Sequence, residues 1–233
     1  MMRLDKLLSH SGYGTRKEVK EFIRKGLVLV NGEVILNDDF KVDEINDDII
    51  IANEEVNYEK MVYIMLNKPS GYVSATFDNN SPTVLDLISG YEKRNLFPVG
   101  RLDKDTEGLL IISNDGGLAH KLLSPKNHVS KKYYLKYDGK YKDNFKDIFN
   151  KGIQIDDYFT KPAIYEDLGN NEAYMTIYEG KFHQVKKMME YVNCNVTYLE
   201  RIKFGNINLD SNLKRGEYRL LTKEEIELLR NSN

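Results

Sequence analysis

The chain has 233 residues, 41% of them hydrophobic and 30% charged, with a formal net charge of −2. This composition supports a packed core, excludes wholesale disorder, and excludes a uniformly basic nucleic-acid binder. The single cysteine, Cys194, excludes an internal disulfide and a multi-cysteine zinc site, and the four histidines (His10, His120, His128 and His183) lack metal-ligand spacing. No apolar run approaches transmembrane length, so no membrane association is expected. Met1-Met2-Arg3-Leu4-Asp5-Lys6 lacks the apolar centre of a signal peptide, and the expected compartment is the cytoplasm.

Leu4, Leu7 and Leu8 fall at helical spacing and predict a short first helix, broken at Gly12 and Gly14. Thr15-Arg16-Lys17-Glu18 reads as a capping box that opens a second helix, with Val19, Phe22 and Ile23 as its buried stripe and Gly26 as its stop. Arg3, Lys6, Arg16, Lys17, Lys20 and Arg24 crowd this region, whereas acidic residues dominate from Asp38 to Glu55. Segregated charge of this kind can grip a polyanion locally while the total stays near zero, although a solvated face has the same pattern. Leu27-Val28-Leu29-Val30 predicts a strand, Asn31-Gly32 a type I′ hairpin, and Glu33-Val34-Ile35 the return strand. The acidic stretch reads as a solvated strand-and-loop surface, and the polar segment 53–60 as an inter-domain linker.

Beyond it, predicted strands cover 62–66, 109–112, 133–137, 173–178, 196–202 and 207–209. Predicted helices cover 84–88, 118–123, 144–150 and 184–192, and a last helix begins at a second capping box, Thr222 with Glu225. Uneven strands mixed with few helices favour an α+β fold.

Three segments of this region carry polar groups that could do chemistry. Gly100-Arg101-Leu102-Asp103-Lys104-Asp105-Thr106-Glu107-Gly108-Leu109 is a polar loop running into a strand. By residue type alone its two aspartates suggest a weak metal site or the acid and base of a glycoside hydrolase. Lys131-Lys132-Tyr133-Tyr134 enters a strand, so adjacent tyrosines point to opposite faces. Gly180-Lys181-Phe182-His183-Gln184-Val185-Lys186-Lys187-Met188-Met189 opens a helix, and on pattern alone its two lysines form a solvated face.

The N-terminal arrangement, carried by Arg3-Leu4-Asp5-Lys6, Ser11-Gly12, Thr15-Arg16 and residues 26–32, resembles the S4 RNA-binding domain. The three later segments resemble the pseudouridine synthase signature, whose G-R-L-D-x-D-T-x-G-L loop stands here in full. The Asn67-Lys68-Pro69-Ser70-Gly71 turn and the Gly216-Glu217-Tyr218-Arg219-Leu220-Leu221-Thr222 ending are similar to the RsuA branch, and within it most to a member that acts on 16S rRNA. The resemblance implies a small S4 domain over 1–55 followed by a catalytic domain over 60–233, with a central, mostly antiparallel mixed sheet and flanking helices. It implies Asp103, Tyr133 and Lys186 as catalytic residues, with Tyr133 stacking on an extracted base and Lys186 pairing with Asp103. It also implies Arg101, Lys131 and Leu199 as substrate-binding residues. The RNA-binding set would be Arg3, Lys6, Arg16, Lys17, Lys20 and Arg24.

Isomerising uridine changes neither redox state nor composition, so no cofactor and no metal are expected. The expected partner is ribosomal RNA, 16S before 23S, and a monomer is expected. A non-catalytic S4-type RNA-binding or ribosome-assembly factor is the alternative of a different class.

Overall fold

The computed structural model describes residues 1–44, 46–56, 61–91, 94–139 and 145–232. Two compact units emerge. One comprises Met1–Val62 with Ser89–Leu96, the other Tyr63–Ile88 with the chain from Phe97 onward.

The N-terminal unit runs β1 (Met2–Arg3), α1 (Leu4–His10), α2 (Arg16–Arg24), β2 (Val28–Val30), β3 (Glu33–Val34), β4 (Lys41–Val42), β5 (Ile49–Ile51) and β6 (Glu54–Glu55). The capping box is present: Glu18 Oε2 accepts from the Thr15 amide at 2.6 Å while Thr15 Oγ1 accepts from the Glu18 amide at 3.4 Å. Asn31 and Gly32 both have positive φ (51° and 82°), the conformation a type I′ hairpin demands, and they turn β2 into β3. The small sheet has the order β3-β2-β5-β6 and is antiparallel throughout. Leu4, Leu7 and Leu8 of α1 and Val19 and Ile23 of α2 share one core with Val28, Val30, Ile49 and Ile51, whereas Phe22 is only partly buried against it. Of the segment 53–60 expected as a linker, residues 53–56 are ordered into the N-terminal unit. Ala52 and Asn53 form a turn at positive φ into β6, and Val56 is buried, its amide donating to Ile49 O at 2.8 Å. Residues 57–60 lie outside the described residues.

The second unit adds β7 (Tyr63–Lys68), β8 (Phe97–Val99), β9 (Glu107–Ser113), α3 (Gly116–Leu123), β10 (Lys131–Gly139), α4 (Phe145–Lys151), β11 (Gln154–Ile155) and β12 (Tyr158–Phe159). It continues with β13 (Ile164–Gly169), β14 (Glu172–Ile177), α5 (Gln184–Tyr191), β15 (Cys194–Phe204), β16 (Ile207–Asn208), β17 (Tyr218–Leu220) and α6 (Lys223–Arg230). The sheet order is β13-β14-β10-β15-β9-β7-β17, and among the described strands of this path only β9 and β15 pair in parallel. It is the mostly antiparallel mixed sheet expected of an α+β chain.

On one face, Met65, Leu109, Ile111 and Phe204 pack against Leu118, Ala119 and Leu122 of α3 and Leu229 of α6. Farther along the sheet, Phe145 of α4 meets the Tyr165 ring edge-on at 5.3 Å. The other face carries Tyr134, which meets the Tyr174 and Tyr198 rings edge-on, at 6.0 Å each. One expectation needs correction. Residues 84–88 form a single 3-10 turn, Val84–Leu87, because Ile88 is already extended. The helix predicted over 144–150 runs Phe145–Lys151, with residue 144 outside the described residues.

Candidate active site

The Asp103 loop joins β8 to β9, and its backbone is tied on both sides of the aspartate. Upstream, the Ser74 hydroxyl donates to Leu102 O at 2.9 Å and accepts from the Leu102 amide at 3.0 Å. Downstream, the fully buried Lys68 at the end of β7 donates from Nζ to three carbonyls: Pro69 O (3.1 Å), Lys104 O (3.1 Å) and Thr106 O (2.7 Å). Burial pushes the Lys68 ammonium down to about 8, against the pull of the Asp105, Glu107 and Asp103 carboxylates. The loop runs into β9, where Gly108 stands at φ +95° and a Cβ would stand 2.4 Å from Arg201 O in the neighbouring strand. Only glycine permits that approach.

These ties place Asp103 on a cavity of about 40 Å³ shared with Thr106, Tyr133, Ile177, Val185 and Leu199, and bordered by Arg101 and His183. Tyr133 and Leu199 reach it from β10 and β15, and both are buried. The register decides between the two adjacent tyrosines: Tyr133 turns into the cavity face and Tyr134 to the opposite one. Lys186, in the first turn of α5, lies 3.5 Å from Asp103 Oδ2. Its closer partner is Asp105, at 2.6 Å and 2.8 Å from the two carboxylate oxygens. Burial alone would raise the Asp105 carboxyl, but the Lys186 hydrogen bond and charge outweigh it and hold it below the usual range. His183, at positive φ and stacked on Phe182 with centroids 3.7 Å apart, brings Nε2 to 3.7 Å from Asp103 Oδ1.

Among the described residues lining the cavity, Asp103 is the one carboxylate. A glycoside hydrolase needs a second across the cleft. Asp105 sits on the same loop and shares the same lysine, so that arrangement is missing among the described residues lining the cavity. Among the described residues, no group of three His, Cys, Asp or Glu side chains could hold a metal ion, and no helix is long and apolar enough to cross a membrane.

Comparison with known proteins accords with this geometry. The RNA pseudouridylate synthase family model matches residues 62–191 and the S4 domain model residues 2–49. The chain belongs to the RNA pseudouridine synthase family. It is 46% identical to an uncharacterised RNA pseudouridine synthase of Bacillus subtilis, over 98% of each chain. It is 38% identical to the ribosomal small subunit pseudouridine synthase A of Escherichia coli, over 97% of this chain and 98% of that one. A crystal structure of a pseudouridylate synthase superposes with a TM-score of 0.69 at 34% identity, covering 98% of this chain and all of the other. As a pseudouridine synthase the protein is an isomerase with an N-terminal S4 domain.

Most of the other residues singled out from the sequence lie outside the lining of the Asp103 cavity. Arg101 is exposed and lines both the Asp103 cavity and a larger one beside it. Lys131 does not reach Asp103; it is buried, and its ammonium donates to Val129 O at 2.8 Å. In the S4 domain, Arg3 donates to both Asp5 oxygens at 3.0 Å and Arg24 bonds Asp38 at 2.7 Å, with Lys20 near both carboxylates. Arg16 and Lys17 are exposed, and with the partly exposed Lys6 they form no ion pair among the described residues.

Sequence reasoning missed Arg201. Its guanidinium is fully buried and donates from Nε to Leu109 O at 2.8 Å, and its charge acts on the Tyr133 hydroxyl. Burial raises Tyr133 above the ordinary phenol range, and Arg201 works against that shift.

Proposed function

We propose that this pseudouridine synthase isomerises a specific uridine of ribosomal RNA, in the 16S RNA of the small subunit, with Asp103 as the reacting carboxylate. The carrying observation is convergence. Asp103, Tyr133 and Leu199 come from three separate segments onto one cavity, and Lys186 stands 3.5 Å from the carboxylate. A non-catalytic RNA-binding factor would have no use for that meeting.

The reaction breaks the N1–C1′ bond, turns the uracil over and forms a C5–C1′ bond; C5 loses a proton and N1 gains one. Every atom is retained. Asp103 can serve by attacking C1′ or by taking a proton from C2′, and both routes require it ionised and aimed. Lys186 is a positioning residue that holds negative charge in this corner. Tyr133 offers its ring to a base that has lost its stacking neighbours. The cavity of about 40 Å³ has room for roughly one water, so uracil needs it to widen on binding. Arg16, Lys17 and the other S4 cations meet phosphates and set position rather than sequence.

Full-length similarity to enzymes named for the small ribosomal subunit supports the 16S assignment. The test is to map pseudouridines in rRNA from cells with the protein, without it, and with Asp103→Asn. One 16S position should lose its modification in the last two, while the Asp103→Asn protein binds rRNA within about threefold of wild type. A persistent modification in the Asp103→Asn cells would overturn the role of Asp103, and loss at a 23S position instead would overturn the substrate.

A further inference from the structure

A second cavity, of about 490 Å³, adjoins the Asp103 cavity, and Arg101 and Tyr133 lie on both linings. Its size is that of a small-ligand site. Four cations line it (Arg101, Lys131, Lys181 and Arg201) against one carboxylate, Glu179. That carboxylate is engaged already: Oε1 accepts from the Lys161 amide at 2.9 Å and from Gln184 Nε2 at 2.8 Å.

Two of the cations are taken out of water. Arg201 is 2% exposed and Lys131 8%. The Arg201 guanidinium lies 4.8 Å from the Phe204 ring centroid and the Lys131 ammonium 5.5 Å from the same centroid, so two like charges flank one ring. Arg201 makes no ion pair among the described residues, and its Nη2 has no hydrogen-bond partner there. Burial first, and the Arg201 charge second, push Lys131 down to about 8. Buried cations without a counter-charge cost stability. Groups so perturbed cluster where a ligand arrives.

The geometry points to a second RNA subsite: this cavity takes the nucleotide next to the flipped uridine, its phosphate drawn toward the Lys131–Arg201 corner past Lys181. The inference rests on the uridine-isomerising reading above and adds to it the part of the strand that fixes register. Because the cavities share Arg101 and Tyr133, a strand with its uridine at Asp103 has its neighbour one backbone step from the second cavity. An anion there neutralises charge the fold leaves unmatched, a contact that positions the strand without reading its sequence.

The test uses the full chain and an rRNA fragment carrying the uridine found by mapping. Each backbone linkage within two nucleotides of that uridine is replaced in turn by a neutral methylphosphonate. In wild type, one linkage should raise KM about tenfold and lower the slope of log KM against log salt by about one. In Lys181→Gln, and in Lys131→Met after its thermal unfolding has been checked, the same replacement should add less than about twofold, because the contact is already gone. A flat scan in wild type, or an equal penalty in wild type and Lys181→Gln, overturns the subsite while product formation leaves the enzyme assignment standing. If wild type forms no pseudouridine in any rRNA, both fall together.

Discussion

Lys186 donates to both oxygens of Asp105, at 2.6 Å and 2.8 Å, while standing 3.5 Å from Asp103. One cation thus serves two carboxylates on a single loop, and its direct bonds go to the one that lies outside the cavity lining. Lys186→Met should cut kcat by about 100-fold or more and leave KM for rRNA within about threefold. Lys186→Arg should recover most of the rate, since a planar fork can span both carboxylates. Single-turnover kinetics on the mapped rRNA fragment would show it, and a Met variant within threefold of wild type in kcat would remove Lys186 from the mechanism.

Lys68 is expected to leave a signature in stability. In the unfolded chain its ammonium titrates near 10.5, and in the fold at about 8. Between those values the unfolded chain keeps a proton that the folded chain has released, so this group's contribution to stability rises with pH across that window and is flat below it. Urea unfolding from pH 7 to 10.5 should therefore show the wild type gaining on Lys68→Met by an amount on the order of 2–3 kcal/mol. A constant gap would mean the ammonium is not desolvated. Lys68→Met should also lower kcat, because the Lys104 and Thr106 carbonyls lose the donor that fixes the Asp103 loop.

At Gly108 a substitution meets both a backbone and a conformation. A Cβ would lie 2.4 Å from Arg201 O at φ +95°. Gly108→Ala should cost more than about 3 kcal/mol in urea unfolding. A loss below about 1 kcal/mol would show that the strands can part without penalty.

The six S4 cations should not contribute equally to RNA binding. Arg3 and Arg24 are committed to Asp5 and Asp38, whereas Arg16 and Lys17 are exposed without an ion pair among the described residues. Arg16→Gln and Lys17→Gln should each reduce the salt slope of rRNA affinity by about one, and Arg24→Gln by clearly less. Equal slopes for the three variants would refute this division.

Legibility in the sequence followed locality. The boxes at Thr15/Glu18 and Thr222/Glu225 and the Asn31-Gly32 hairpin depend on neighbours in the chain, and all three formed. Strand β17 is defined by a partner far away in the chain, β7, whereas β8 and β13 pair with the strands that follow them but carry little signal in their own residues. The Asp103, Tyr133 and Leu199 positions were legible because their spacing matches a known signature. Arg201 was not, since an arginine in a strand reads as solvent-facing. A bulge lets Tyr133 pair with Arg201 directly after Lys132 pairs with Lys203, which breaks the alternation beyond Arg201. Lys68 and Lys131 were opaque for a related reason: their ammonium groups are held by backbone carbonyls, which no side-chain pattern announces.

Strand β15 has a further consequence, in the timing of synthesis. It lies between β10, which carries Tyr133, and β9, which follows the Asp103 loop, yet it is made after both. Its Arg201 reaches Leu109 across 92 positions of chain. A nascent chain that has emerged only through α5 holds Asp103, Tyr133 and Lys186 but lacks the strand that spaces two of them. Closing so long a loop is slow and comes late in folding. Chemistry at the proposed centre therefore waits for β15, and a product of translation truncated before that strand would carry the S4 domain without the centre assembled.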